Sequence, residues 1–251
     1  MDKLVTYCVE INGLHINAVY SQDNINNIFL PLLKDLTELQ KKKGKRILVL
    51  LAAPPGAGKS TLSSFLEYQS TIHKNITRLT AIGMDGFHKR QSYLLSHTIL
   101  RDGHEIPMVK IKGSPETFDL EHLLDSIRRL ASGEDCGWPS YNRLLHDPEE
   151  NKIFVTGSIV LLEGNYLLLD QPMWKEISTF SDYTIKIVAS QDQLRQRLID
   201  RKISSGTSEQ DAEEFVEFSD LANVRLCLRH SLPATLTLAL QSDSTYAKIE
   251  V

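Results

Sequence analysis

Several features that mark whole protein classes are scarce or missing in this chain of 251 residues. It holds only three cysteines, Cys8, Cys136 and Cys227, far apart and in no paired spacing. That excludes a disulfide framework and a cysteine-ligated zinc site, and predicts reduced thiols in a reducing compartment. No apolar stretch approaches the roughly 20 residues needed to span a bilayer. No basic segment followed by an apolar run opens the chain. The expectation is a soluble, cytoplasmic protein without a membrane partner. An excess of one charge is also lacking: 28 basic residues against 32 acidic ones leave a net charge of −4. That balance, without interleaved basic and aromatic residues, argues against a nucleic-acid partner. Repeats and low-complexity tracts are missing too, so fibrous and disordered classes drop out. What remains is an ordinary globular composition, long enough for one large α/β domain or two small ones.

The texture changes near residue 46. Before it, LVTYCVEINGLHINAVYS reads as two strands around Asn12-Gly13, a pair suited to a type I′ hairpin turn. Apolar residues Ile25, Ile28, Phe29, Leu32, Leu33, Leu36 and Leu39 then recur at helical spacing over 24–42. Lys41–Lys43 and Gly44 end that helix, and the lysines read as a solvated terminus more readily than as a phosphate patch. After residue 46, the apolar runs 46–53, 77–84, 158–163, 183–189 and 234–240 have the near-continuous apolarity of strands covered on both faces. Helical patterns lie between them at 59–68, 119–132 (with Asp119 as N-cap and Gly133 beyond), 191–205 and 209–229. Alternation of this kind predicts a doubly wound, mainly parallel α/β sheet. Residues 1–45 form an amino-terminal elaboration and 46–251 the main domain. Within it, the stretch 86–118, rich in His, Lys, Arg, Gly and Pro, is long enough to be a lid or binding loop.

Ala53-Pro54-Pro55-Gly56-Ala57-Gly58-Lys59-Ser60-Thr61 follows a predicted strand and opens a predicted helix, the context a P-loop (Walker A) requires. Glycines let backbone N–H groups turn onto an anion, and the helix N-terminus adds its positive dipole end. Pro55, Gly56, Ala57, Gly58, Lys59, Ser60 and Thr61 are therefore the expected contacts to nucleotide phosphates. Lys59 would reach the β- and γ-phosphates and Ser60 a Mg²⁺ ion. One departure stands out: Ala53 occupies the position of the usual first glycine, where strand-end geometry accommodates a Cβ.

Two acids sit at predicted strand ends, where open α/β sheets bind their ligands. Asp85 opens Asp-Gly-Phe-His, and Glu163 precedes Gly164. Each alone reads equally as a helix cap or a surface charge. Together beside a P-loop they divide into a metal-side acid, Glu163, and a base, Asp85, that accepts a proton from an attacking hydroxyl.

With Lys59, Asp85 and Glu163 in this order, the chain resembles the phosphoribulokinase/uridine kinase family of P-loop kinases. Within it, the likeness is to the bacterial type I pantothenate kinase branch and its nucleoside- and sugar-kinase-like relatives. The resemblance is carried by MDGFH (84–88), KGSPETFDLEHL (112–123), PSYNRLLHDP (139–148) and LLEGNYLLL (161–169), and more weakly by 219–240. It covers roughly 46–240 and implies a P-loop NTPase fold with a five-stranded parallel sheet flanked by helices. It also implies ATP and Mg²⁺ as cofactors, a small-molecule acceptor under 86–118 and 139–148, and a lid over 191–206. Arg197 and Arg201 of that lid would close on ATP phosphates, unless they are only part of a solvent-facing ion-pair helix with Asp200. His88, Arg101, Lys112, Tyr141, Arg143 and Asn223 are the candidate acceptor contacts, each as readily structural. Where pantothenate kinases look to carry a histidine after the P-x-Y tyrosine, this chain has Asn142-Arg143, which points away from pantothenate itself. The leading reading is an ATP-dependent alcohol phosphotransferase. A nucleotide-dependent switch and a polynucleotide-end kinase are the alternatives, the first disfavoured by the carboxylate after the second strand and the second by net acidity. Oligomeric state stays open between monomer and homodimer, since the hairpin offers an edge that could pair between subunits.

Overall fold

The structure, a computed structural model, describes residues 3–11, 13–101, 103–143 and 145–249. Strands β1 (Leu4–Ile11) and β2 (Leu14–Ser21) pair antiparallel from Leu4↔Ser21 to Ile11↔Leu14. Gly13 adopts the positive φ that a tight turn needs; Asn12, on which the expected turn type also rests, lies outside the described residues. The helix expected over 24–42 is α1 (Gln22–Asn24), a π-helical turn (Ile25–Phe29) and α2 (Leu30–Lys43). Pro31, with no N–H to donate, sits where the widened turn relaxes back to α geometry. Gly44, at φ +62°, ends α2 and donates to the Gln40 carbonyl at 2.9 Å. Lys43 pairs with Asp182, while Lys41 and Lys42 stay exposed, as a helix terminus.

Strand β3 (Ile47–Ala52) leads into α3 (Lys59–Ile72) and β4 (Leu79–Gly83). The 86–118 stretch then folds as α4 (Gln91–Ser96) and the hairpin β5 (Thr98–Arg101)–β6 (His104–Pro107). After α5 (Leu120–Ala131) comes a second hairpin, β7 (Cys136–Asn142) and β8 (Asp147–Val155), where no regular structure was predicted. Its proline and polar residues hide the strand pattern. The chain closes with β9 (Ile159–Gly164), β10 (Tyr183–Val188), α6 (Gln191–Ser204), α7 (Glu209–Phe215), α8 (Leu221–Arg229), β11 (Leu236–Leu240) and β12 (Tyr246–Ile249). One π-helical turn, Val216–Asp220, joins α7 to α8.

The main sheet has the order β12-β11-β10-β3-β9-β4. Five strands are parallel, as expected; β12 adds an antiparallel edge that the sequence reading did not include. Buried Asn24 holds that edge, donating to the Tyr246 carbonyl at 2.9 Å and accepting from its N–H at 2.6 Å. Period-2 alternation splits the core across the sheet. Ile47, Val49 and Leu51 pack with Phe29, Leu33, Phe65 and Leu198 on one face. Leu48, Leu50 and Ala52 pack with Leu123, Trp138 and Trp174 on the other. Every residue of β3 is buried. At about 1.5–3 kcal/mol for each large aliphatic side chain buried, this strand is the anchor on which the loop after it is mounted.

Candidate active site

Three consecutive strands, β3, β9 and β4, deliver the charged residues to one sheet edge. Glu163 pairs in register with Leu51 on one side and Gly83 on the other, so the carboxylate emerges between the ends of both neighbours. A Cβ on Gly83 would stand 3.1 Å from Glu163 Oε1; glycine there leaves room for the acid. Ser60, in the first turn of α3, donates to Glu163 Oε1 at 2.6 Å. Asp85 lies just past β4, in the 3₁₀ turn Met84–Phe87. That turn is clamped from outside. A Cβ on Gly86 would meet the Pro139 carbonyl oxygen at 2.2 Å, and Trp138 Nε1 donates to the Gly83 carbonyl at 2.8 Å. The β7–β8 hairpin is thereby fastened to the segment that carries Asp85.

The predicted phosphate loop spans the gap between β3 and α3. Gly56 and Gly58 have φ of +83° and +80°, backbone that L side chains rarely adopt. Gly56 also faces α6 closely, with Leu198 Cγ 3.1 Å from where a Cβ would be. Ala53 is buried, donates to the Gly164 carbonyl at 3.3 Å, and has no positive φ, which accounts for alanine at that position. Arg197 of α6 reaches the same loop: it donates to Ser244 Oγ at 2.7 Å, and its Nη1 stands 4.0 Å from the Cβ position of Gly58. Asp200 accepts from Gln196, and the ion pairs of this helix are made by Arg195 with Glu213 and Glu217 and by Lys202 with Asp220. Arg197 and Arg201 have no ion-pair partner among the described residues, so the ion-pair reading of that face does not describe them.

Electrostatics separates the two acids. Burial alone would raise Asp85, but the positive groups around it outweigh burial and hold it below the ordinary carboxylate range: His88 when protonated, then Lys59, Arg143 and Arg201. Burial pushes His88 itself down, and the Asp85 carboxylate and the bond to the Asp85 backbone offset this only in part. Glu163 goes the other way. Burial raises it, Asp85 adds repulsion, and Lys59 and the Ser60 hydroxyl offset this only in part. Two carboxylates pushed apart in this way are suited to different tasks. Asp85 is held toward its ionised form, whereas burial favours the protonated form of Glu163. Ser60 Oγ and the Glu163 carboxylate are hard oxygen donors without another cation bonded to them among the described residues. That set fits Mg²⁺, which takes one or two protein oxygens and fills its shell with phosphates and water.

The predicted acceptor contacts divide. His88 Nδ1 donates to the Asp85 backbone carbonyl (2.8 Å) and its ring lies against Phe118 and Tyr141. Burial pushes the Tyr141 phenol up to about 12. Lys112 bonds Gln91 Oε1 at 2.5 Å and the His146 carbonyl at 2.9 Å, and lies over the Tyr141 ring. Arg143 has no ion pair among the described residues and is close enough to Asp85 and Arg201 to shift both. Buried Asn223 approaches Gly113. Arg101 stands apart in the β5–β6 hairpin, in a two-pronged bond to Glu116 at 2.8 and 2.9 Å.

A cavity of about 210 Å³ contains Asp85, Glu163 and Ser60. Tyr141, a predicted acceptor contact, and Ser140, within the predicted 139–148 segment, also line it, beside residues not singled out from the sequence: Ser63, Ser64 and Glu67 of α3, Ile153 of β8, and Glu10 and Ile11 of the first hairpin. The α3 residues follow Ser60 at i+3, i+4 and i+7, a spacing readable from the sequence once Ser60 is placed. No local signal marks Glu10 or Ile11. A second cavity, about 630 Å³, lies beyond the Gly86–Arg90 segment and is reached by His88 but not by Asp85.

Comparison with known proteins bears on the family and the fold. Residues 48–222 match the family described as "Phosphoribulokinase / Uridine kinase family". "Uncharacterized protein YggC" of Escherichia coli (strain K12) is 40% identical over 237 residues, covering 94% of this chain and 96% of that protein. "Putative uridine kinase C227.14" of Schizosaccharomyces pombe is 28% identical over 90% of this chain and 94% of its own length. Among solved structures, a "putative fructose transport system kinase" from Silicibacter sp. TM1040 superposes with a TM-score of 0.71 at 29% identity, over 82% of this chain and 98% of that one.

Proposed function

Because the chain belongs to the phosphoribulokinase/uridine kinase family, we propose that it transfers the γ-phosphoryl group of ATP to a hydroxyl of a small metabolite: a sugar, a nucleoside or a pantothenate-like alcohol. The observation that supports this most is the depressed Asp85 lining one cavity with Ser60 of the phosphate loop and Glu163. A nucleotide switch has no need of a carboxylate base at that position.

Each group then has a task. Backbone N–H groups of residues 56–61 and the N-terminus of α3 cradle the phosphates, with Pro55, which has no N–H, shaping the loop entrance. Lys59, with Arg197 and Arg201 from α6, neutralises charge on the group in transfer, and residues 191–206 act as a lid. Ser60 and Glu163 hold Mg²⁺, which when bound supplies charge neutralisation on the phosphate oxygens. Asp85 takes the proton of the acceptor hydroxyl. His88, Tyr141, Arg143, Lys112 and Asn223 position the acceptor, with Arg101 shaping the 86–118 insertion from its pair with Glu116.

The names of relatives do not choose the acceptor. At 28% and 29% identity, one is named for a nucleoside and the other for a sugar. The cavity at Asp85 adds a preference: carboxylates of Glu10, Glu67, Asp85 and Glu163 and hydroxyls of Ser60, Ser63, Ser64, Ser140 and Tyr141 line it, with no lysine or arginine in the lining among the described residues. A neutral, hydroxyl-rich acceptor matches that lining better than a sugar phosphate does. The test is coupled-assay ADP release with Mg-ATP against pantothenate, nucleosides, aldoses, ketoses and sugar phosphates. Stimulation by one neutral acceptor supports the reading. Acceptor-independent release that nothing in the panel stimulates favours the switch.

A further inference from the structure

We propose that the amino-terminal hairpin is part of the active site: it walls the cavity that holds Asp85 and Glu163, and by excluding water it directs the phosphoryl group to the acceptor. The inference rests on the kinase reading for its chemistry, but its structural premise stands separately.

The face of α3 that turns Ser60 toward Glu163 continues one and two turns on as Ser63, Ser64 and Glu67. These are small or polar side chains; Glu67 meets the Ala81 backbone of β4, and on the other side the β1–β2 hairpin packs over the helix beside them. Tyr7 OH shares a hydrogen bond with Ser64 Oγ at 2.9 Å and donates to the Ser64 carbonyl at 3.2 Å. Its ring meets Phe65 edge-on, with centroids 5.2 Å apart, and Tyr20 of β2 stacks on Phe65 at 4.1 Å. So anchored, β1 runs its last residues, Glu10 and Ile11, into the cavity wall facing Asp85, Gly86 and Tyr141. A branched aliphatic at that point denies space to water while leaving the Asp85 oxygens in the cavity. Water is the competing acceptor in any such transfer, and a site that shuts it out protects the donor from futile hydrolysis.

The consequence is measurable without knowing the acceptor. Ile11→Ala opens the wall; Tyr7→Phe loosens its anchor while keeping the ring contacts. Acceptor-independent ADP release from Mg-ATP should rise roughly three- to tenfold in Ile11→Ala and less in Tyr7→Phe, with the KM for Mg-ATP within about twofold of the parent. A structural role alone would lower both the fold's stability and the rate. The second readout uses no nucleotide. In a Cys8→Ser background, which removes the exposed native thiol, a Ser63→Cys probe should react faster with a small thiol reagent when Ile11→Ala is added. Faster labelling in a chain that turns over no ATP in any form upholds the wall and overturns the kinase reading. Unchanged ADP release in a chain that does turn over ATP overturns the proposal, whatever the labelling shows.

Discussion

The two halves of the site are built from different materials. The proposed donor side is mostly backbone: two glycines at positive φ, a helix N-terminus and one lysine within residues 53–61, with Arg197 and Arg201 added from α6. The proposed acceptor side is side chains gathered from β1, α3, the Asp85 turn, β7 and β8, held by tight contacts such as Gly86 against Pro139. A backbone cradle accepts any nucleotide phosphate and is local in sequence. A side-chain pocket selects one molecule and is assembled from distant segments. Substitutions on the acceptor side should therefore divide chemistry from nucleotide binding, whereas the donor side should tolerate little except at its entrance.

The sharpest division is expected at Asp85. Asp85→Asn should lower acceptor-dependent turnover by about 10²–10⁴-fold with Mg-ATP affinity nearly intact; steady-state kinetics beside direct nucleotide titration checks it. Equal loss of both would erase the distinction between the halves. Gly86→Ala comes next. The added Cβ runs into backbone oxygen that has no room to yield, so destabilisation of at least about 2 kcal/mol is expected in denaturant unfolding.

Glu163→Gln should act with opposite signs on stability and activity. Burial raises the Glu163 pKa, so the nucleotide-free protein carries its most favourable, protonated form below the unfolded pKa and loses that contribution as pH rises through the raised value. Glutamine can keep a bond to Ser60 without the charge. It should stabilise the nucleotide-free chain at neutral pH by about 1 kcal/mol while weakening Mg²⁺-dependent turnover. The gain should vanish on acidification, where wild-type Glu163 is itself protonated; thermal melts across pH read it directly. Smallest of all is Ala53→Gly. Because Ala53 needs no positive φ, restoring the usual glycine should change the KM for Mg-ATP by less than about twofold and cost up to about 1 kcal/mol of stability.

The same difference in materials governs what could be read from the sequence. The five parallel strands and the helices between them were legible because burial on both faces leaves an unbroken apolar run, as in β3 and β9. Asp119 and Gly44 marked their helix ends by their own chemistry. The antiparallel β12 escaped because it is only four residues long and exposed along three of them, so it leaves no unbroken apolar run. The β7–β8 hairpin escaped because three of its first five residues are Gly, Pro and Ser, poor strand formers whose place is set by contact with Gly83 and Gly86. Asp85, Glu163 and the phosphate loop were found by position, at strand ends. Glu10 and Ile11 have no such mark: they reach the cavity only because two tyrosines seat their hairpin on α3.

The account stands on transfer to an alcohol in place of hydrolysis, and product analysis tests that most directly. Phosphorus NMR of Mg-ATP turnover with the best acceptor of the panel should show a new phosphomonoester resonance growing in step with ADP, and little inorganic phosphate. ADP matched only by inorganic phosphate, with every acceptor, would contradict it.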